Sequence, residues 1–250
     1  MITWFIPYKN IIPDDYVSSI FDIDYNKLYS NGKRLILTDL DNTLISYKAT
    51  EPTEELYKWK NELEGMGFEI IIVSNSGKSR VKHFANMLGL KYVNLSTKPL
   101  KRGFKKALKI ASSKYKKEEV VVLGDQLLTD VYGAKRMKLS MILVKAIDKK
   151  TERLVTKHNR KNEDKMLKKV RKKNYGLYLV KLKKYEEDRK WLNTVKAVEL
   201  PYKKKILIKE DLYLKLIQLR INCIVKDASV LIIIMRCQKF WQLIRNMRLL

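Results

Sequence analysis

Over roughly the first 145 positions, short runs of unbroken apolar residues alternate with stretches in which apolar positions recur every three or four residues. The stretches Arg34–Thr38, Glu69–Val73, Glu119–Leu123 and Met141–Val144 each hold an unbroken run of three or four apolar residues, and Lys91-Tyr92-Val93 is a shorter one. Continuous rather than alternating apolarity is the mark of strands covered on both faces, as in a parallel sheet. Glu54–Gly65 reads as a helix opened by Pro52-Thr53, with Thr53 as its cap, and Lys78–Leu88 as a helix closed by Gly89. Phe104, Ala107, Leu108 and Ala111 fall at i, i+3, i+4 and i+7 on one face of a third helix, and Asp130–Met137 can form a fourth. This alternation predicts an α/β fold, a doubly wound parallel sheet in which ligands sit beyond the carboxyl ends of the strands.

Turn punctuation stops part-way along the chain. All nine glycines lie at or before Gly176, which divides the sequence into a domain over 1–175 and a basic, mainly helical extension over 176–250. In the extension Leu212, Leu216 and Leu219 mark one helical face. Phe240, Leu243, Ile244 and Met247 mark another, with Arg236, Arg245 and Arg248 nearby. Such a face either lies on a membrane or packs against the domain or a second subunit. Val230–Met235 is the longest strongly apolar stretch near the end, far short of the roughly 20 residues a spanning helix needs. The first residues have neither a basic n-region nor a small-residue cleavage site, so no signal peptide is expected. There is no internal repeat.

Charge sharpens the division. The 250 residues carry a net charge of +26, and in successive blocks of fifty it runs −1, +1, +9, +9 and +8. A basic second half fits an anionic partner such as nucleic acid, phospholipid headgroups or a phosphorylated substrate. Lysines outnumber arginines 41 to 12, which leans away from base-specific recognition and is equally the product of a biased composition. An apolar fraction of 46% argues against disorder. The two cysteines, Cys223 and Cys237, make no disulfide framework, so a reducing, cytoplasmic setting is expected.

Four polar clusters fall at the predicted strand ends. Asp39-Leu-Asp41-Asn-Thr43 follows the first of these strands and Ser74-Asn75 the second. Lys98-Pro99 lies after the short third, and Gly124-Asp125 through Asp130 follows the fourth. A parallel sheet brings all four to one edge. Asp39, Asp41, Asp125 and Asp130 would then form an acidic nest that needs a cation, and oxygen-only ligands suit Mg²⁺. Two imitations are set aside. Leu44 and Thr50 stand where a calcium loop needs glycine and glutamate, and Ile72 stands where a phosphate-binding loop ending at Gly77-Lys78-Ser79 needs its leading glycine. His83 and His158 are isolated and read as surface or packing residues.

In order and position, Asp-x-Asp-x-Thr, Ser-Asn, Lys-Pro and Gly-Asp-x-x-x-x-Asp resemble the haloacid dehalogenase superfamily of phosphatases. That resemblance implies Asp39 as nucleophile and Asp41 as general acid and base. It implies Thr43, Ser74, Asn75 and Lys98 as substrate-binding residues. Mg²⁺ would be held by Asp39, the Asp41 backbone carbonyl, Asp125 and, through water or a hydrogen bond to one of the ligands, Asp130. Only 25 residues separate Leu44 from Ile70 and 22 separate Asn75 from Lys98, too few in either place for a cap domain. The site should therefore be open and its substrate large or fixed to a larger object.

Ile12–Ile23, Thr38–Leu44, Lys98-Pro99, Gly124–Asp130 and the lysine-rich Thr151–Lys173 with His158-Asn159-Arg160 are similar to the capless YqeG-like branch. This branch is related to the mitochondrial phosphatidylglycerophosphate phosphatases. The resemblance implies removal of the terminal phosphate of phosphatidylglycerophosphate to give phosphatidylglycerol. The setting expected beside it is cytoplasmic, peripheral at the cytoplasmic face of an anionic membrane. Trp4, Phe5, Ile6 and Tyr8 either dip into that interface or pack on the sheet, while Lys101, Arg102, Lys105, Lys106 and Lys109 lie near the predicted mouth. The alternatives are the same chemistry on a phosphoprotein, a nucleic-acid end or a soluble metabolite, and, from another class, a non-catalytic RNA- or ribosome-binding protein. Oligomeric state is left open.

Overall fold

A computed structural model describes residues 5–189, and the extension's helical faces, both cysteines and Trp4 lie outside the described residues. Six strands form one sheet: β1 (Asp15–Val17), β2 (Leu35–Thr38), β3 (Glu69–Val73), β4 (Lys91–Val93), β5 (Val120–Gly124) and β6 (Ser140–Val144). They lie in the order β1-β6-β5-β2-β3-β4, every pair parallel. The doubly wound α/β architecture is as the apolar runs predicted. Leu35 and Leu37 face one buried cluster and Ile36 the other, so β2 is covered on both sides.

α1 (Tyr25–Ser30), α2 (Glu54–Gly65) and α3 (Lys78–Leu88) lie on one face of the sheet. There Trp59, Leu63, Phe84 and Leu88 pack on Ile36, Ile70 and Ile72. Thr53 caps α2 by accepting a hydrogen bond from Leu56 N at 3.2 Å, and Gly89 ends α3 at φ 66°. α4 (Lys101–Ile110), α5 (Tyr132–Met137) and α6 (Leu154–Lys173) cover the other face through Phe104, Ala134, Met137, Met166, Leu167 and Val170. α5 begins later than its sequence predicts. Leu127–Val131 first makes a π-helical turn, a wider coil often found at functional sites, and Asp130 sits in it.

Two elements were not legible in the pattern. β1 has three residues, none fully buried, begins with Asp15 and follows Pro13 and Asp14. It pairs with β6 at the sheet edge, where the Asp14 carboxylate accepts from Met141 N at 2.7 Å. The packing also continues past residue 175. α7 (Tyr175–Lys181) and the helical residues 183–189 bury Tyr178, Leu182 and Tyr185 in the core behind α6. Chain that the glycine pattern assigned to the extension is therefore part of the domain's core. At the other end Ile6 is buried in that core and Phe5 is exposed.

Candidate active site

The register of the central strands decides what meets what. Thr38 is level with Leu123 on one side and Ile72 on the other, so the residues following β2, β3 and β5 emerge at one edge. Asp39, Ser74 and Asp125 come together there, and Asp39 N donates to Leu123 O at 2.9 Å. Lys98 arrives from the loop after β4, whose Lys98-Pro99 peptide is cis. The Asn75 side chain ties this loop down. Its Oδ1 accepts from Ser96 Oγ and from Lys98 N, each at 2.8 Å, and its Nδ2 donates to Lys98 O at 3.0 Å.

Held this way, the buried Lys98 ammonium lies 2.8 Å from Asp39 Oδ1 and 2.7 Å from Asp130 Oδ1. Burial alone would depress its pKa, but the Asp130 and Asp39 charges outweigh that and keep it above the usual lysine range. Burial pushes the Asp39 carboxyl up to about 7, with Lys98 opposing the rise and Asp130 and Asp41 adding to it. Burial likewise raises Asp125, against the attraction of Arg160.

Carboxylate oxygens of Asp39, Asp125 and Asp130 lie within 4.8 Å of one another. Asp125 Oδ1 is buried and has no hydrogen-bond partner, a position that is costly for an anionic oxygen unless a cation meets it. The three buried carboxylates Asp39, Asp125 and Asp130 are paired with two side-chain cations, Lys98 and Arg160. An all-oxygen donor set with excess negative charge fits a hard divalent ion.

Asp41 stands in front of this cluster. Its carboxylate accepts from Ser76 Oγ at 2.5 Å and from Arg80 Nε at 2.7 Å. Arg80 also donates to the carbonyls of Ser46 and Ala49, fixing the short flap after β2. The ring of Tyr47 in that flap lies near the Arg80 and Arg153 guanidinium groups, at 4.9 and 5.4 Å. A pocket of about 260 Å³ opens here. Of the residues expected from sequence, Asp39, Asp41, Ser74, Asn75 and Lys98 line it. Asp125 and Asp130 lie buried behind, within reach of Asp39. Thr43 is placed differently. Asn42 adopts φ 66° and the chain reverses through Leu44 N and Ile45 N donating to Leu40 O, which turns Thr43 inward, off the pocket wall.

The remaining wall comes from Gln126 and Thr129 after β5 and from the start of α6, through Arg153, Thr156 and Asn159. Further along the same helix, buried Arg160 pairs with the Asp125 carboxylate and donates to the Asp125 carbonyl at 2.6 Å. It also contacts Glu152 Oε1 at 3.0 Å, while Glu163 receives Leu127 N at 2.7 Å and the Tyr185 hydroxyl at 2.8 Å. α6 is thereby tied to the loop carrying Asp125 and Asp130. Motif spacing does not reveal Ser76, Arg80, Arg153 or Thr156, and Asn159-Arg160 stands out only as part of a family resemblance, with no role attached. Their signal is local: polar side chains in the first turns of helices that begin at the sheet's carboxyl edge. Both histidines are exposed, and His83 meets Thr50 O, at 3.1 Å, and the edge of Phe84.

A family model described as haloacid dehalogenase-like hydrolase matches residues 14–138. The "Probable phosphatase YqeG" of Bacillus subtilis is 36% identical over 167 residues, covering 67% of this chain and 95% of that protein. Among solved structures, the cobalt-bound deoxy-D-mannose-octulosonate 8-phosphate phosphatase of Haemophilus influenzae is 13% identical. It covers 61% of this chain and 99% of its own, with a TM-score of 0.37. A Legionella pneumophila protein assigned to subfamily IIIA of the HAD superfamily is 14% identical with a TM-score of 0.34, over 58% and 93% of the two chains. With its four motifs gathered at one sheet edge and a family match across the strands that carry them, this chain belongs to the haloacid dehalogenase-like hydrolases.

Proposed function

We propose that this hydrolase is a Mg²⁺-dependent phosphatase that works through an aspartyl-phosphate on Asp39 and removes the terminal phosphate of phosphatidylglycerophosphate. The observation that carries the chemistry is the Lys98 ammonium held between Asp39 and Asp130, with Asp41 at the pocket in front. An Asp39 carboxylate oxygen attacks phosphorus and the ester oxygen leaves with a proton from Asp41. Asp41 then takes a proton from the water that attacks the aspartyl-phosphate, releasing phosphate and restoring Asp39. Ser76 and Arg80 hold the Asp41 carboxylate in place for both steps. Lys98 favours the ionised form of Asp39 and neutralises the charge on the phosphoryl oxygens, which Ser74 and the Asn75 amide receive. Mg²⁺ held by Asp39, the Asp41 carbonyl, Asp125 and Asp130 would add Lewis-acid neutralisation of the same oxygens.

The lipid assignment rests on different grounds. The flap 46–52 and the start of α6 border the pocket, and among the described residues no inserted domain closes over it, which suits a phosphate presented from a surface. The basic second half of the chain suits an anionic one. No helix among the described residues is long and apolar enough to cross a membrane. The reading places access to the lipid at the membrane's periphery, on its cytoplasmic face. The test is phosphate release with Mg²⁺ from phosphatidylglycerophosphate in mixed micelles and from a soluble phosphate ester, wild type beside Asp39→Asn. Release from the lipid that vanishes in the variant is the expected result. Release from the ester alone would keep the phosphatase and discard the lipid, and release from neither would remove both.

A further inference from the structure

The described residues leave eight large hydrophobic side chains more than half exposed, and five of them, Leu95, Leu100, Ile147, Leu154 and Val155, stand at the carboxyl edge of the sheet. Each is tied to the pocket. Leu95 N donates to the carbonyl of Ser76, which lines it, and Val155 lines it directly. Leu100 follows the Lys98-Pro99 peptide as the residue capping α4, and Ile147 N donates to Asn42 O beside Asp41. Leu154, the first residue of α6, is 82% exposed between the lining residues Arg153 and Val155. The fold does not ask for these side chains. Leu95, 62% exposed at φ 44°, has neither burial nor a backbone suited to leucine. Scattered single apolar residues need no explanation, but a ring of them around one opening does.

Charge says what covers the ring. Lys101, Arg102, Lys150, Arg153 and Lys157 are exposed on the same two segments, 94–106 and 145–158. The first segment has no acidic residue. The acidic residues of the second are engaged locally: Asp148 caps the following turn through Lys150 N, and Glu152 is buried against Arg160. Apolar side chains that project from a basic rim match a layer with anionic headgroups above hydrocarbon.

We infer that the rim of this pocket is a membrane-docking surface, which seats the opening on an anionic bilayer so that a lipid phosphate enters without leaving its leaflet. The inference deepens the lipid reading above and assigns the contact to a face on the sheet's carboxyl edge rather than to the chain's N-terminal aromatic residues.

The full chain, wild type and Leu100→Ser/Leu154→Ser, would be sedimented with phosphatidylcholine vesicles with and without phosphatidylglycerol. Turnover would be measured in parallel on phosphatidylglycerophosphate in vesicles and on a soluble phosphate ester. Neither leucine lines the pocket. Wild type should bind the anionic vesicles alone, and the variant should bind them about 100-fold more weakly, roughly tenfold for each leucine withdrawn from the layer. Vesicle turnover should fall with binding, and soluble-ester turnover should stay at the wild-type level. Equal binding by the two proteins would overturn the inference, as would a variant that changes only the self-association of the chain in ultracentrifugation. Rim-dependent binding without lipid hydrolysis would uphold the surface and overturn the substrate. Lipid hydrolysis in micelles without vesicle binding would do the reverse.

Discussion

Removing the Arg160 guanidinium should expose how closely the last helices and the catalytic loops depend on each other. Arg160, Asp125, Glu152 and Glu163 have side chains 9%, 0%, 4% and 0% exposed, so water cannot take over a lost partner. In Arg160→Met, Glu163 keeps the Leu127 amide, the Tyr185 hydroxyl and, at 3.7 Å, Arg189. Glu152 keeps a 3.4 Å contact with Asn42. Asp125 is left with no hydrogen bond to its carboxylate, since Oδ1 has none and Oδ2 loses Arg160. Breaking a buried pair on one side costs about 3–5 kcal/mol, which for a domain of this size lowers the melting temperature by roughly 10 °C. The assay is thermal and urea unfolding of the full chain in chelator, as a cycle with Asp125→Asn and the double variant. A coupling above about 2 kcal/mol is expected, because Asn removes the charge that Arg160 compensates. Burial raises the Asp125 carboxyl, and loss of Arg160 raises it further, so the penalty is present above that pKa and shrinks as pH falls through it. A variant that melts within about 2 °C of wild type, or a coupling below about 0.5 kcal/mol, would refute the account.

Three further outcomes follow from the geometry. Asn75→Ala removes all three bonds that fix the Lys98 loop and should cost about 2–3 kcal/mol in stability. It should also lower kcat on a soluble ester, and unchanged kcat would show that the loop holds itself. A Cβ on Gly124 would lie 2.5 Å from both Cβ and Cγ of Asp130, so Gly124→Ala must displace that carboxylate and with it Lys98. A kcat loss on the order of 100-fold and a smaller Mg²⁺-induced rise in melting temperature are expected, and wild-type values for both would count against the placement of Asp130. Lys149 is held down to about 8 by burial and by the neighbouring Arg160 and Arg189 charges. Its charged form is destabilising in the fold below that pH, and the cost fades as pH rises toward the unfolded value of about 10.4. Lys149→Met should therefore stabilise the fold at pH 7 by about 1 kcal/mol after allowance for its partial exposure, a rise of roughly 3 °C in melting temperature, with no gain near pH 11.

The central strands and their helices were readable in the chain because each obeys a local rule. An unbroken apolar run of three or four residues has no stable place except between two layers, and β2, β3, β5 and β6 fall where those runs lie. The same rules fixed the caps at Thr53 and Gly89. Motif residues were readable because parallel strands must deliver their carboxyl ends to one edge, so Asp39, Asp41, Ser74, Lys98 and Asp125 had to be neighbours. Thr43 shows the limit of spacing: one αL residue, Asn42, decides which side of a tight turn faces the pocket.

What the tertiary structure alone decided are contacts between residues distant in sequence, whose side chains carry no periodic signal. β1 is three residues that become a strand only because β6 presents a free edge. Arg160 is marked in the sequence only by a family resemblance, within a lysine-rich helix, and its role is set when 35 positions of separation are closed and it is buried on Asp125. Arg80 joins Asp41 to the flap in the same way, 39 residues from its partner. Sequence pattern determines where apolar surface must be hidden. The particular cation that stands beside each buried carboxylate is determined by how the helices close over the sheet, because an ion pair depends on distance in space and leaves no repeat along the chain.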